Sequence, residues 1–481
     1  MQYHWINLAV IAAYLLLMLG VGVFFVRSNK TADDYFTGGG RLPWWVVSMS
    51  IYATMFSSIT FLSVPALVYH TDCRYLLKAT GIIVLVPLVL RYYLPFFRRL
   101  KLTSAYEYLE VRFNLGCRVF ASAAFTLFMI ARTAIVAYLP AVAISAVSGL
   151  DVNASIAIVT LVTILYCTIG GITAVVWSDF VQSVILIVST AAMFIYLVAG
   201  TEGGFLGFVA KGMQAGKFTM VDLRWDWSEP VLWVVLVGGL VENLVSYTSD
   251  QCVVQRYMTT VDQVAAAKSI KLNGVVSFVN CVVFFILGVA LWTFYQSNPA
   301  LQPDIQLKDQ VVPWFIARSL PVGFSGLVLA AVAAATMSTL STNLNSAATA
   351  VTTDFYTRLF KGRNPLKCGR LVTVLTGILG GALALVLANI EVGLIYNQFL
   401  RFLGVLTGGL ASLFFMGRFM KFVTGRGAFI GLVANYAVCF SLDMAKFDGK
   451  PHILLYGAIG MASCLAVSSL ASLFLTDKKK G

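Results

Sequence analysis

Charge is scarce in this chain of 481 residues: Asp, Glu, Lys and Arg make up 11%, where a soluble domain carries about a quarter. With 59% hydrophobic residues and a mean hydropathy of +0.85, the chain is not built for water. Histidine is nearly absent; His4, His70 and His452 fall near the ends of apolar runs and suggest neither a proton relay nor a metal centre. The eight cysteines (73, 117, 167, 252, 281, 368, 439 and 464) form no C-x-x-C and lie mostly within apolar segments. They read as small hydrophobes, not as a disulfide framework. No clustered acid or metal motif marks a membrane-embedded enzyme, so no enzymatic activity is expected. The net charge of +13 raises nucleic acid as a partner, but the cations cluster in short loops between apolar runs, and no nucleic-acid binding is expected.

What is present is apolar length. About 20 apolar residues cross a bilayer core, and such runs follow one another almost end to end. They fall near 5–26, 43–69, 75–97, 117–149, 154–173, 178–200, 231–252, 271–296, 313–352, 369–390, 393–416, 427–444 and 452–475, about thirteen spans. The first is too long for a signal-peptide core and lacks a basic leader, so it is expected to be retained. The run 313–352 exceeds one crossing and is expected to be a span with a cytoplasmic extension.

Loop cations orient the chain. Arg27, Lys30 and Arg41 follow the first span, and Arg91, Arg98, Arg99, Lys101, Arg112 and Arg118 flank the end of the third. Arg256, Lys268 and Lys271 follow the seventh; Arg358, Lys361, Arg363, Lys367 and Arg370 the ninth; Arg418, Lys421 and Arg426 the eleventh; Lys478 to Lys480 the last. Every odd-numbered exit is basic, which predicts an outside N-terminus and a cytoplasmic C-terminus.

Two spans carry too much polarity for lipid. The second holds Thr54, Ser57, Ser58 and Thr60 with Pro65 beyond; the seventh holds Gly238, Gly239, Glu242, Asn243, Ser246, Thr248, Ser249, Asp250 and Gln251. They stand five spans apart, as the opening helices of two repeats do, and matched interrupted helices point to a transporter's central site. The alternative is ordinary helix contact through small residues. A hydroxyl ladder then follows the apolar run Leu327 to Ala335: Thr336, Ser338, Thr339, Ser341, Thr342, Asn343, Asn345 and Ser346. Positions 338, 341, 342 and 345 share one helix face. Grouped neutral oxygens suit a hard cation such as Na⁺, although Ser and Thr also bond back to carbonyls four residues earlier.

Several motifs match a known family. Ala32-Asp33-Asp34-Tyr35-Phe36-Thr37-Gly38-Gly39 and the run Gly170-Gly171-Ile172-Thr173-Ala174-Val175-Val176-Trp177-Ser178-Asp179-Phe180-Val181-Gln182 are two of them. Thr103 to Phe113 (TSAYEYLEVRF) and Val253-Val254-Gln255-Arg256-Tyr257 are two more. In order and spacing the chain resembles the sodium:solute symporters, and within them most of all the bacterial sialic acid symporters. The resemblance implies an all-α integral membrane protein with a LeuT-type fold of two inverted five-helix repeats. It divides the chain into an extra N-terminal helix and loop (1–42), a first repeat (43–200), a second (231–416) and C-terminal helices with a tail (427–481), together a single transporter domain.

The resemblance also assigns sites. It places a first sodium on the backbone carbonyls of Ala53, Phe56 and Ala335 with the hydroxyls of Ser338 and Thr339. In the sialic acid subgroup an aspartate matching Asp179 holds a second sodium with the positions of Ser338, Ser341 and Thr342. Intramembrane carboxylates are costly and commonly functional; the competing reading of Asp179 is a helix cap after Gly170-Gly171. Arg132, within Phe128 to Ile135, needs an anionic partner. The subgroup gives it the substrate carboxylate, and a structural pair with Asp250 or Glu242 is the alternative. Ser57 and Thr60 match the subgroup's substrate contacts, whereas Met55, Tyr75 and Ala79 replace a threonine, a phenylalanine and a glutamine. Asn243, Tyr247 and Gln398 are further candidates for the pocket or its inner gate, with Lys78 and Arg401 as nearby cations.

The expected protein is thus a secondary active transporter of the bacterial inner membrane, importing an organic anion with Na⁺ by alternating access. Sialic acid (N-acetylneuraminate) is the expected solute, and another carboxylate, a short monocarboxylate or a different acidic sugar, is the alternative. A transporter-like sensor is the rival from another class. No organic cofactor is expected, and the protein is expected to act as a monomer in the bilayer.

Overall fold

The computed structural model describes residues 5–26, 30–100, 102–305, 308–390, 395–445 and 449–475. The cations Arg27, Lys101 and Lys478 to Lys480, and the side chains of Gln398 and Arg401, lie outside them. The described chain is helical, with a lone bridge between Leu42 and Thr260 in place of a sheet. The helices are α1 (Trp5–Phe24), α2 (Trp44–Met55), α3 (Ser58–His70), α4 (Arg74–Leu100), α5 (Leu115–Ser148), α6 (Val152–Ala199) and α7 (Leu232–Thr248). Then come α8 (Gln251–Met258), α9 (Gln263–Ser297), α10 (Phe324–Ala350), α11 (Pro365–Leu387), α12 (Ile395–Phe419), α13 (Gly425–Met444) and α14 (Tyr456–Phe474).

Among the described residues, nine helices are long and apolar enough to cross a membrane, or eleven when each bent pair counts as one span. The run α6 covers 48 residues, about 72 Å at 1.5 Å per residue and more than twice a bilayer core. Gly171 interrupts it at φ 55°, ψ −159°, a backbone conformation open to glycine alone. Dividing α6 there, and adding the 25-residue α12, brings the passes to about thirteen. The chain is a multi-pass membrane protein.

Both spans singled out for polarity are broken. Helices α2 and α3 meet at 55° and α7 and α8 at 44°. Phe56 and Ser57 leave the helical region at the first break, with φ/ψ of −102°/108° and −104°/174°. At the second, Asp250 is extended and caps α8 by accepting from the Cys252 amide at 2.8 Å. The expectation for 313–352 needs correction. Its first part is a separate short helix, Val311–Arg318, and a turn before Gly323 starts the span itself at Phe324. Gly323 has φ +83°, so the apolar run conceals a turn.

Burial ranks the helices. In α10, 89% of the most apolar stretch is buried, against 28% in α1 and 33% in α11, so the hydroxyl-rich helix is the centre of the bundle. It packs on α6, α5 and α1, and α2 packs on α9 and α6. Glycines let α4 and α7 cross closely: a Cβ on Gly239 would stand 2.6 Å from the Lys78 Cα, and one on Gly81 2.8 Å from the Gly239 carbonyl.

The loops sort into two faces. On one, Leu42 bonds the Thr259 carbonyl at 2.9 Å, Arg98 donates to the Thr260 carbonyl, Arg112 to that of Met420, and Arg358 pairs with Glu110. On the other, Arg74 pairs with Asp72 and Asp222, and the His452 amide donates to the Trp227 carbonyl at 2.6 Å. Bonds from Arg224 hold the Asp222 carboxyl down at about 2. The exits expected to be basic thus share one side. Two of those cations are not loop charges at all. Arg118 is buried on Asp354 and Glu110, and Arg256 is fully buried in the bundle.

Candidate functional site

The break between α2 and α3 faces the ladder of α10. Ser338 Oγ lies 3.3 Å from the Ala53 carbonyl and 3.1 Å from that of Ala335, and Thr339 Oγ1 lies 3.1 Å from the same Ala335 oxygen. Two carbonyls and two hydroxyls from two helices therefore converge, all buried. Both hydroxyls also make the local back-bond that the sequence left open as an alternative. Phe56 occupies the break itself.

Beside this cluster, a cavity opens between the two broken helices. It is lined by Met55, Ser57, Thr60, Tyr75, Ala79, Arg132 and Asn243, among others, so of the pocket candidates with described side chains all but Tyr247 reach it. Gln398 falls outside the described side chains. Tyr247 is not in the wall; its hydroxyl donates to Asn273 at 2.7 Å. Arg132 is 7% exposed, donates to the Thr54 carbonyl at 3.0 Å and stands 4.0 Å from the Asp250 carboxylate. The planar guanidinium fork in this wall matches the two oxygens of a carboxylate. Because Thr54 follows Ala53, one stretch of α2 holds the arginine by one carbonyl and offers the preceding one to Ser338.

Across the cavity Lys78 and Glu242 form a 2.6 Å ion pair, and Asn243 donates to the carbonyls of Gly239 and Lys78. The Tyr75 hydroxyl lies 3.0 Å from His452 Nε2. Burial and the Lys78 charge keep that imidazole neutral, its pKa lowered to about 4.

The lower ladder meets a second set of partners. Asp179 is fully buried in the interior of its helix and caps nothing, which removes the capping alternative. Its Oδ2 accepts from Ser50 Oγ at 2.5 Å and from Arg256 Nη2 at 2.8 Å, and the same Nη2 donates to Thr342 Oγ1 at 2.6 Å. Ser341 Oγ donates to the Ser338 carbonyl at 3.1 Å. Of the expected second-ion set, Asp179 and Thr342 are brought together around an arginine, while Ser338 and Ser341 are adjacent on α10. Further down, Gln255 donates to Asn345 Oδ1, Thr349 Oγ1 and the Phe36 carbonyl, and accepts from Ser346. Sequence reasoning missed Arg256 beside Asp179. Its only signal was position, one residue past the glutamine that binds the ladder.

The model of the sodium:solute symporter family matches residues 35–434. The sodium/sialic acid symporter SiaT of Proteus mirabilis is 36% identical over 100% of this chain and 98% of its own length. A solved Na⁺-coupled sialic acid symporter in a substrate-bound outward-open state superimposes with a TM-score of 0.93, at 35% identity and full coverage of both chains. The nucleobase-cation symporter Mhp1, with a TM-score of 0.62 at 13% identity over 92% of this chain and 95% of its own, shares the LeuT-type fold alone.

Proposed function

Because the chain belongs to the sodium:solute symporter family, we propose that it imports sialic acid together with Na⁺, by alternating access across the bacterial inner membrane. One observation carries this reading. Adjacent carbonyls of a single broken helix serve both sites, Ala53 toward the Ser338 and Thr339 hydroxyls and Thr54 toward the cavity arginine Arg132. Sodium on Ala53, Phe56, Ala335, Ser338 and Thr339 then orders the segment that holds the substrate's carboxylate partner. Asp179, Ser338, Ser341 and Thr342 supply a second ion. Met55, Ser57, Thr60, Tyr75, Ala79, Asn243 and Gln398 shape the rest of the pocket around the solute.

A different carboxylate is the second reading, and the apolar side chains of Met55 and Ala79 in the wall favour it. Uptake into proteoliposomes separates the two. With an inward Na⁺ gradient, sialic acid should enter at least about tenfold faster than with K⁺ on both sides, and short monocarboxylates should not compete. Competition by a monocarboxylate alone would transfer the assignment to the second reading. Sodium-independent entry of every acidic sugar and monocarboxylate offered would end the symporter reading.

The repeats 43–200 and 231–416, the N-terminal helix and loop 1–42 and the C-terminal helices 427–481 act as one transporter domain in a monomer. The basic face is cytoplasmic, with the N-terminus outside. Two exposed residues on opposite faces test the orientation. In a cysteine-free background, Glu229→Cys should react with an impermeant maleimide in intact cells, and Arg363→Cys only after lysis. The reverse pattern would invert the topology.

A further inference from the structure

We propose that the Arg256 guanidinium is the resident cation of the Asp179 pocket, and that sodium binds this carboxylate only by displacing it. The inference rests on the symporter reading above and concerns how the second ion enters. Arg256 and Asp179 are both inaccessible to solvent. The guanidinium makes four contacts: Nη2 to Asp179 Oδ2 at 2.8 Å and to Thr342 Oγ1 at 2.6 Å, Nε to Ser50 Oγ at 2.6 Å, and Nη1 to the Cys252 carbonyl at 2.5 Å. Two oxygens that a sodium on this carboxylate would use, Asp179 Oδ2 and Thr342 Oγ1, are therefore engaged by a tethered positive charge. Asp179 Oδ1, in contrast, is buried without a hydrogen-bond partner among the described residues. A carboxylate oxygen left bare in a low-dielectric interior is an acceptor awaiting a cation.

Charge decides between sharing and exchange. With Arg256 in place the pocket is neutral. A sodium added beside it would leave two positive charges on one carboxylate where water does not screen them. With the arginine withdrawn, sodium gains both carboxylate oxygens and the Thr342 hydroxyl, and the pocket is neutral again. The arginine has a route for withdrawal, because it sits on the eight-residue α8 whose first turn begins at a 44° break. The residue capping that helix is Asp250, 4.0 Å from Arg132 in the substrate cavity. A carboxylate that takes Arg132 from Asp250 acts on the same short helix that carries Arg256.

The test is ²²Na⁺ binding to the purified full-length protein, comparing wild type with Arg256→Gln, Arg256→Lys, Asp179→Asn/Arg256→Gln and Thr339→Ala. Removing the charge in Arg256→Gln should lower the sodium concentration that half-fills the second site at least tenfold. Arg256→Lys should stay within about threefold of wild type, and the double variant should bind one ion. An Arg256→Gln isotherm superimposing on wild type, while Thr339→Ala still loses a sodium, overturns this proposal alone. A wild type that binds no sodium overturns the symporter reading with it. Should Arg256→Gln fail to fold, structures of the wild type in saturating Na⁺ and in K⁺ decide. Exchange requires the Arg256–Asp179 pair to open in Na⁺, and a sodium seated beside an intact pair refutes it.

Discussion

Arg132→Ala is expected to reduce sialic acid uptake at least a hundredfold while leaving sodium binding in place. A charge-assisted hydrogen bond is worth about 1.5–3 kcal/mol. Two such bonds from a guanidinium fork to a carboxylate give about 3–6 kcal/mol, and each 1.4 kcal/mol is about tenfold. Arg132→Lys keeps the charge but loses the fork and the bond to the Thr54 carbonyl, and should fall between, at about ten- to a hundredfold. The informative readout is the dependence of uptake on substrate concentration at fixed sodium, beside a sodium-only thermal shift. Arg132→Ala protein with a wild-type half-saturation constant would show that the carboxylate binds elsewhere and that Arg132 serves Asp250.

The paired substitution Ser338→Ala/Thr339→Ala should act on the driving force. These hydroxyls stand on the Ala53 and Ala335 carbonyls, and their loss leaves a sodium with backbone oxygens only. Half-saturating sodium should rise about a hundredfold or more, and concentrative uptake should vanish at ordinary sodium levels. The wild-type accumulation ratio meanwhile counts ions. Each sodium contributes about 2.3 kcal/mol per 100 mV and about 1.4 for a tenfold gradient, and an anionic substrate takes back about 2.3. Two sodium ions leave about 5 kcal/mol, several-thousand-fold accumulation, whereas one leaves about 1.4, near tenfold. Accumulation that survives in the paired variant at the wild-type ratio would place the essential sodium away from Ser338 and Thr339.

Much of this site was readable before any coordinates because it violates the composition around it. Hydroxyls at Ser338 and Thr339, a carboxylate at Asp179 and a guanidinium at Arg132 have no reason to occupy apolar helices unless they are packed inward and used. The breaks at Phe56–Ser57 and Ser249–Asp250 were legible for the same reason, since polar runs in lipid-length segments need a cavity. Partner choice was not legible. Arg256 follows an apolar span and so reads as a loop cation, and only three-dimensional packing of α8 against α2 and α10 brings it to Asp179. Lys78 and Glu242 are separated by 164 positions, and no local pattern links them. The turn before Phe324 escaped because Pro321, Val322 and Gly323 interrupt the apolar run too briefly to lower its average.

The buried ion pairs have an electrical consequence. Arg132 stands by Asp250, Lys78 by Glu242 and Arg256 by Asp179, so each of these three cations of the central sites has an opposite neighbour among the described residues. Without cargo these three pairs present no net charge to the transmembrane field. Membrane potential then has little to pull on as the empty protein returns outward, and acts instead on the loaded step, where a stoichiometry of two sodium ions to one anion would carry one positive charge inward. Current should therefore rise with hyperpolarisation and level off where the voltage-indifferent return becomes the slowest step.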